Sequence, residues 1–140
     1  MARHPLHPAV VHFPVACWSL ATFADLASLW LGRPAWWLAG VLLAIGTLTA
    51  LAAMATGLVE FVRIEAGSPA LRDANRHMLL VMAAWLLYAG SLFLRLRGTT
   101  LIAPGWPALG TGIAGFLCLG AAGWMGGKLV YQHRIGGDRP

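Results

Sequence analysis

Four long apolar runs separated by short polar connections dominate the chain. A helix that crosses the hydrocarbon core of a bilayer needs roughly 20 predominantly apolar residues, and each run is long enough to span. Ser68 and Pro69 form an N-cap and first-turn pair, so the third helix should begin about two turns before the lipid. The pattern predicts an all-α fold in a single domain, residues 1–140, with transmembrane helices at about 10–31, 36–62, 69–95 and 108–131.

The composition indicates lipid as the solvent of this chain. Its residues are 59% hydrophobic and only 11% charged, whereas soluble domains carry about 25% charged residues. The net charge is +5, but the basic residues stand at the ends of the apolar runs and form no basic stripe with interleaved aromatics. The composition therefore predicts contact with the lipid bilayer and argues against a nucleic-acid partner.

The distribution of Lys and Arg predicts the orientation in the membrane. Seven of the ten lie on the side of the termini and the second connection: Arg3, Arg63, Arg72, Arg76, Lys128, Arg134 and Arg139. The other three, Arg33, Arg95 and Arg97, lie on the opposite side. By the positive-inside rule both termini are cytoplasmic, an N-in/C-in arrangement. Because the outer connections are short, consecutive helices should be antiparallel neighbours in an up-down-up-down four-helix bundle.

All five histidines fall on the predicted cytoplasmic side: His4, His7, His12, His77 and His133. Polar groups within spanning segments are costly and are usually paired or functional. His12 and His77 lie at similar depth on helices that are diagonal in such a bundle, about 11 to 14 Å apart. Two imidazoles that face a central metal, with bonds of about 2 Å each, span a comparable distance. A bis-histidine haem is therefore geometrically allowed.

Small residues at the same level would leave room for a planar macrocycle. The glycines concerned are Gly57 on the second helix and Gly123, Gly126 and Gly127 on the fourth. His7 and His133 could ligate a second haem or act as outer groups that orient the ligands. These positions define the predicted cofactor site.

Two other interpretations of the histidines stay open. The imidazoles could cap helices and bind headgroups in a structural subunit without a cofactor. Alternatively, His4, His7 and His12 could hold a metal ion such as Zn or Cu, with Glu60 or Glu65 adding oxygen ligands. Spacing along the chain does not separate an ion site from a haem site.

Three further groups have simpler interpretations. Asp25 is the only acid deep in an apolar run, and it is either a functional carboxylate or the partner of Arg33, Arg95 or Arg97. Cys17 and Cys118 fall inside apolar runs and are interpreted as small buried side chains. No arrangement typical of nucleophilic catalysis, paired catalytic carboxylates or phosphate-binding glycine loops is present in the sequence. An electron carrier is therefore favoured over an enzyme.

The two ends of the chain carry recognisable motifs, HPLHPAVVHFP at residues 4–14 and GWMGGKLVYQHRIG at residues 123–136. With these motifs the chain resembles a family of bacterial membrane proteins named domain of unknown function 2231. Relatives in that family with Rieske-type or cytochrome c domains on the same polypeptide imply a place in electron transfer. Arg134 follows His133 where a glycine is common in the family, which counts against a special tight turn directly after that histidine.

These observations together favour a multi-pass protein of the bacterial cytoplasmic membrane that binds b-type haem near the cytoplasmic face for electron transfer. His12 and His77 are the predicted axial ligands, with one haem or two. A c-type cytochrome, a Rieske protein or a quinone would serve as redox partner. The histidine-based metal-ion protein and the cofactor-free structural subunit are the alternatives.

Overall fold

The computed structural model describes residues 6–135, and it is built almost entirely of helix. Its elements are α1 (Leu6–Leu31), α2 (Arg33–Phe61), α3 (Pro69–Leu94), a short hairpin of β1 (Leu96–Arg97) and β2 (Thr100–Leu101), and α4 (Trp106–Tyr131). All four helices are long and apolar enough to cross a membrane. The predicted all-α fold with four spanning helices is confirmed.

Prolines open the helices rather than ending them. Pro34 and Pro107 stand at the first helical positions of α2 and α4, where a missing N–H costs nothing because that group has no partner inside the helix. Both helices therefore begin two to three residues before the predicted bounds. Pro69 opens α3 in the same way, and the Ser68 side chain accepts a hydrogen bond from the backbone N–H of Leu71, which confirms the predicted cap.

Two tight turns return the chain at the end opposite the termini. Gly32 alone separates α1 from α2, and its φ of 66° is one that glycine adopts without strain. The β1–β2 hairpin between α3 and α4 was not predicted. It lies over α2, where the Leu101 side chain would be 2.8 Å from a Cβ added at Gly40. This connection therefore packs against the bundle.

The chain forms two antiparallel hairpins, α1–α2 and α3–α4, that are densely packed inside and make far fewer contacts with each other. The hydrophobic core at their junction contains Trp18, Ala21, Leu43, Ala50 and Tyr88. The rings of Trp18 and Tyr88 stack with centroids 4.8 Å apart and so join α1 to α3. The core is therefore concentrated in the middle of the bundle.

Two regions at opposite ends of the bundle contain ionisable side chains that are buried or half-buried. We call the end that holds His7, His77 and His133 the histidine end, and the end that holds Asp25 and Arg95 the arginine end. The backbone leaves α4 at the histidine end through Arg134, whose φ of 54° is left-handed. The N–H of Ile135 then bonds the carbonyl of Leu129 at 3.1 Å. The tight turn after His133 therefore exists despite the absence of glycine, which is a correction to the sequence-based expectation.

Candidate cofactor-binding site

His7 projects from the first turn of α1 onto α2 at the histidine end. Its Nδ1 lies 2.9 Å from the carbonyl oxygen of Ala53 and 3.3 Å from the Thr56 hydroxyl. The ring packs closely on Gly57, where an added Cβ would lie only 2.9 Å from His7 Cε1. The absent side chain of Gly57 thus makes the room in which the imidazole sits.

His77 repeats this arrangement in the second hairpin. Its Nδ1 lies 2.9 Å from the carbonyl oxygen of Ala122 on α4, and a Cβ added at Gly126 would be 3.3 Å from His77 Cε1. In both hairpins an imidazole from the first helix bonds an alanine carbonyl and packs on the glycine four residues later. The two hairpins therefore present matched histidines.

Hydrogen bonding fixes the tautomer of both rings. A carbonyl oxygen only accepts, so Nδ1 of His7 and of His77 must carry the proton and donate it. A neutral ring then has its lone pair on Nε2, the form in which histidine binds a metal. Metal-binding histidines commonly donate their other nitrogen to a carbonyl, which orients the ring and raises its basicity.

The structure places His12, the predicted partner of His77, on an exposed part of α1. Five residues of α-helix turn the side-chain direction by about 140°, so His7 and His12 face different sides. His7, whose sequence-based role was secondary, is half-buried and bonds α2 at the same end of the bundle as His77. His4, part of the alternative ion site, lies outside the described residues.

His133 belongs to a separate cluster of charged groups. Its Nε2 lies 2.9 Å from Asp73 Oδ2, which also accepts a hydrogen bond from Lys128 Nζ at 2.8 Å. Arg76 approaches the other carboxylate oxygen at 3.9 Å. These contacts join the second turn of α3 to the end of α4 and engage the Nε2 of His133, one of the two nitrogens with which histidine binds a metal. Sequence reasoning missed Asp73, although its position one turn before His77 could have marked it.

The predicted glycines separate into two groups. Gly57 and Gly126 lie directly under the two imidazoles. Gly123 has no atom of another residue near its added Cβ, and Gly127 meets only Tyr131 of its own helix at 4.0 Å. Only the first pair therefore shapes the site in this structure.

The arginine end contains a closed ion pair. Arg95 Nη1 and Nη2 donate to the two carboxylate oxygens of Asp25, each at 2.7 Å. Ser91 accepts from Arg95 at its hydroxyl and its carbonyl, and the Arg95 side chain is 0% exposed. The structure thus selects Arg95 among the three arginines proposed for Asp25. Since every contact is internal, the pair serves to hold α1 against α3.

The described residues offer little to a bare metal ion. Within residues 6–135, no group of three or more His, Cys, Asp or Glu side chains is placed to hold one. Cys17 and Cys118 are both free thiols, Cys17 buried and Cys118 half-buried. The matched histidines are therefore the main candidate ligands in this part of the chain.

Four apolar helices of spanning length define the class of this molecule as a multi-pass helical membrane protein. The chain belongs to the family described as predicted membrane protein, domain of unknown function 2231, whose match extends over residues 3–139. This confirms the resemblance seen in the terminal motifs. No curated protein and no solved structure matches the chain.

Proposed function

We propose that the protein binds one b-type haem at the histidine end, with His7 and His77 as axial ligands, and carries electrons in the membrane. The observation that supports this most is the matched pair of imidazoles, each held by a carbonyl at 2.9 Å on Nδ1. Each hairpin supplies one ligand, and the hairpins contact each other sparsely. The proposal keeps His77 and replaces His12 by His7.

The residues present fit haem better than a bare ion. Structural zinc sites usually take four protein ligands and catalytic sites three, whereas a bis-histidine haem needs two imidazoles and an apolar setting. At the histidine end the two half-buried rings pack on Gly57 and Gly126. This contrast in ligand number favours haem over the ion alternative.

A haem held by both His7 and His77 would supply one-electron transfer rather than substrate activation. The protein residues would control its environment in two ways. The carbonyls of Ala53 and Ala122 would keep His7 and His77 in the ligating tautomer and orientation. The surrounding apolar helices would exclude water and so influence the reduction potential. A c-type cytochrome, a Rieske protein or a quinone would be the redox partner.

The proposed location is the cytoplasmic side of a bacterial cytoplasmic membrane, because seven of the ten Lys and Arg flank the histidine end. We expect a reporter fused after Pro140 to be active only as a cytoplasmic reporter. A reporter inserted near Gly98, in the hairpin at the arginine end, should be active only as a periplasmic one. The opposite pattern would move the histidine site to the other face of the membrane.

The decisive experiment is an absorption spectrum of the detergent-purified protein after expression with ample haem and iron. We expect the spectrum of a six-coordinate, low-spin haem in about one equivalent. His7→Ala and His77→Ala should each abolish that low-spin species, because each removes one axial ligand.

His12→Ala is the matched control, since it removes the same group one and a half turns along α1, and it should leave the spectrum unchanged. Loss of the low-spin species in His12→Ala but not in His7→Ala would restore the His12 and His77 pair. A folded and colourless unmodified protein would reject the haem proposal. Metal analysis of that sample would then distinguish an ion site from a structural role.

A further inference from the structure

A concave surface lies where the second connection enters α3. This depression is lined by Gly67, Ser68, Leu71, Arg72, Asn75, Arg76 and Leu79. Two arginines one helical turn apart are its charged groups, and no acidic side chain lines it. Its surface is therefore positive and rich in hydrogen-bond donors.

The acid nearest to these arginines in sequence is turned away from the depression. The Asp73 side chain is only 8% exposed, and its carboxylate is occupied by Lys128 and His133 on the side of α4. Arg76 reaches it only at 3.9 Å, and the Arg76 side chain remains 64% exposed. Arg72 is exposed as well. Both guanidinium groups are consequently accessible to an anion from outside the bundle.

Below the arginines the same side of α3 is apolar and uncovered. Leu79 is 71%, Met82 41% and Leu86 59% exposed, at helical spacings of three and four residues. Of the four helices, α3 has the smallest buried share in its spanning window, 17% against 33% to 39%. A strip of α3 therefore faces lipid directly beneath the positive depression.

The dimensions of this strip correspond to one leaflet of a bilayer. Ten residues of α-helix, from Arg76 to Leu86, rise about 15 Å, which is half of a hydrocarbon core about 30 Å thick. Guanidinium groups bind phosphate oxygens through paired hydrogen bonds. A molecule with an anionic phosphate and a long acyl chain would match both parts.

From the charge and the geometry we infer that this surface is a binding site for an anionic phospholipid. Its phosphate lies between Arg72 and Arg76 with the Asn75 amide beside it, and one acyl chain follows Leu79, Met82 and Leu86. The site is separate from the histidines, so it does not depend on the presence of haem.

The test compares lipid retention in two double variants of the full-length protein in mild detergent. The double variant Arg72→Gln with Arg76→Gln removes both positive charges from the site. Arg63→Gln with Arg134→Gln removes the same charge from exposed positions at the same end. Native mass spectrometry would measure binding of added phosphatidylglycerol, with phosphatidylcholine of equal chain length as the zwitterionic reference.

We expect phosphatidylglycerol to bind about 30-fold more weakly to the Arg72 and Arg76 variant, and the control variant to bind like the unmodified protein. Leu79→Gln should weaken retention through the acyl chain while both arginines remain. Equal losses in the two double variants, or no loss in either, would overturn the site. Displacement of the lipid by millimolar inorganic phosphate would also overturn it, because the surface would then bind the phosphate group alone.

Discussion

The two ends of the bundle pair their ionisable side chains in different ways. At the arginine end, Asp25 and Arg95 bond each other through two hydrogen bonds of 2.7 Å, and Ser91 accepts two more hydrogen bonds from Arg95. At the histidine end, the hydrogen bonds that the structure describes for His7 and His77 are made by Nδ1. Both ends hold polar atoms between apolar helices. At the histidine end, a neutral imidazole keeps a lone pair on Nε2 with which it can bind a metal.

The arginine end is therefore suited to holding helices together, and the histidine end to binding a ligand. A buried charge pair whose members bond one another links two helices, and each charge is already compensated by its partner. A neutral imidazole that is oriented by one nitrogen retains a second nitrogen for a metal. Asp25, which the sequence left as either a functional carboxylate or an ion-pair partner, belongs to the closed end. The open end depends on His77, a ligand predicted from the sequence, and on His7, for which the sequence predicted a secondary role.

The largest effect is expected from breaking the closed end. Asp25→Leu leaves the Arg95 guanidinium buried without its partner, and removing one member of a buried pair typically costs about 3–5 kcal/mol of unfolding free energy. Chemical denaturation of the protein in detergent would measure this loss. The low-spin haem spectrum of the fraction that remains folded should not change, because the pair lies at the far end of the bundle.

The double variant Asp25→Leu with Arg95→Leu serves as the comparison. Since it leaves no uncompensated charge, it should recover most of the stability that Asp25→Leu loses. A double variant as unstable as the single one would show that the two residues act through their shape and not through their charges.

The helices could be predicted from the sequence because the length of an apolar run limits what it can form. The gathering of the histidines at one end followed from counting Lys and Arg. The sequence did not show which histidine of α1 packs against the bundle. In water an apolar stripe shows which side of a helix is buried, but here the core and the lipid are both apolar. The sequence therefore did not determine the rotation of α1, in which His12 is exposed and His7 is half-buried against α2.

The remaining differences have local causes. Asp73 was passed over because it lies in a polar connection, where a single acid is ordinary until folding places Lys128 and His133 beside it. The turn at Arg134 was discounted because an L residue pays about 1–2 kcal/mol for a left-handed conformation. The hydrogen bond from Ile135 to Leu129 and the contact of His133 with Asp73 accompany that turn.

A smaller effect is expected from alanine substitutions at two glycines, Gly46 and Gly57. An aromatic ring packs on each of them, in different parts of the bundle. A Cβ at Gly46 would lie 2.8 Å from Trp18 Cδ1, and one at Gly57 would lie 2.9 Å from His7 Cε1. The steric conflict is nearly equal, but the surroundings differ. Trp18 is 2% exposed and stacked on Tyr88, so it has no room to move, whereas His7 is half-buried at the start of α1.

Gly46→Ala should therefore lower the unfolding free energy by about 1–3 kcal/mol, as overpacking of a filled core does. Gly57→Ala should cost less stability, because the imidazole can shift, and the shift should weaken low-spin haem binding. Gly120→Ala is the control, since its added Cβ meets no atom within 4 Å. Chemical denaturation of the three variants would measure the stability loss expected of Gly46→Ala. Haem titration would measure the weaker binding expected of Gly57→Ala. If Gly46→Ala and Gly57→Ala changed stability and haem affinity alike, the two regions would not be the separate structural and binding units that their contacts indicate.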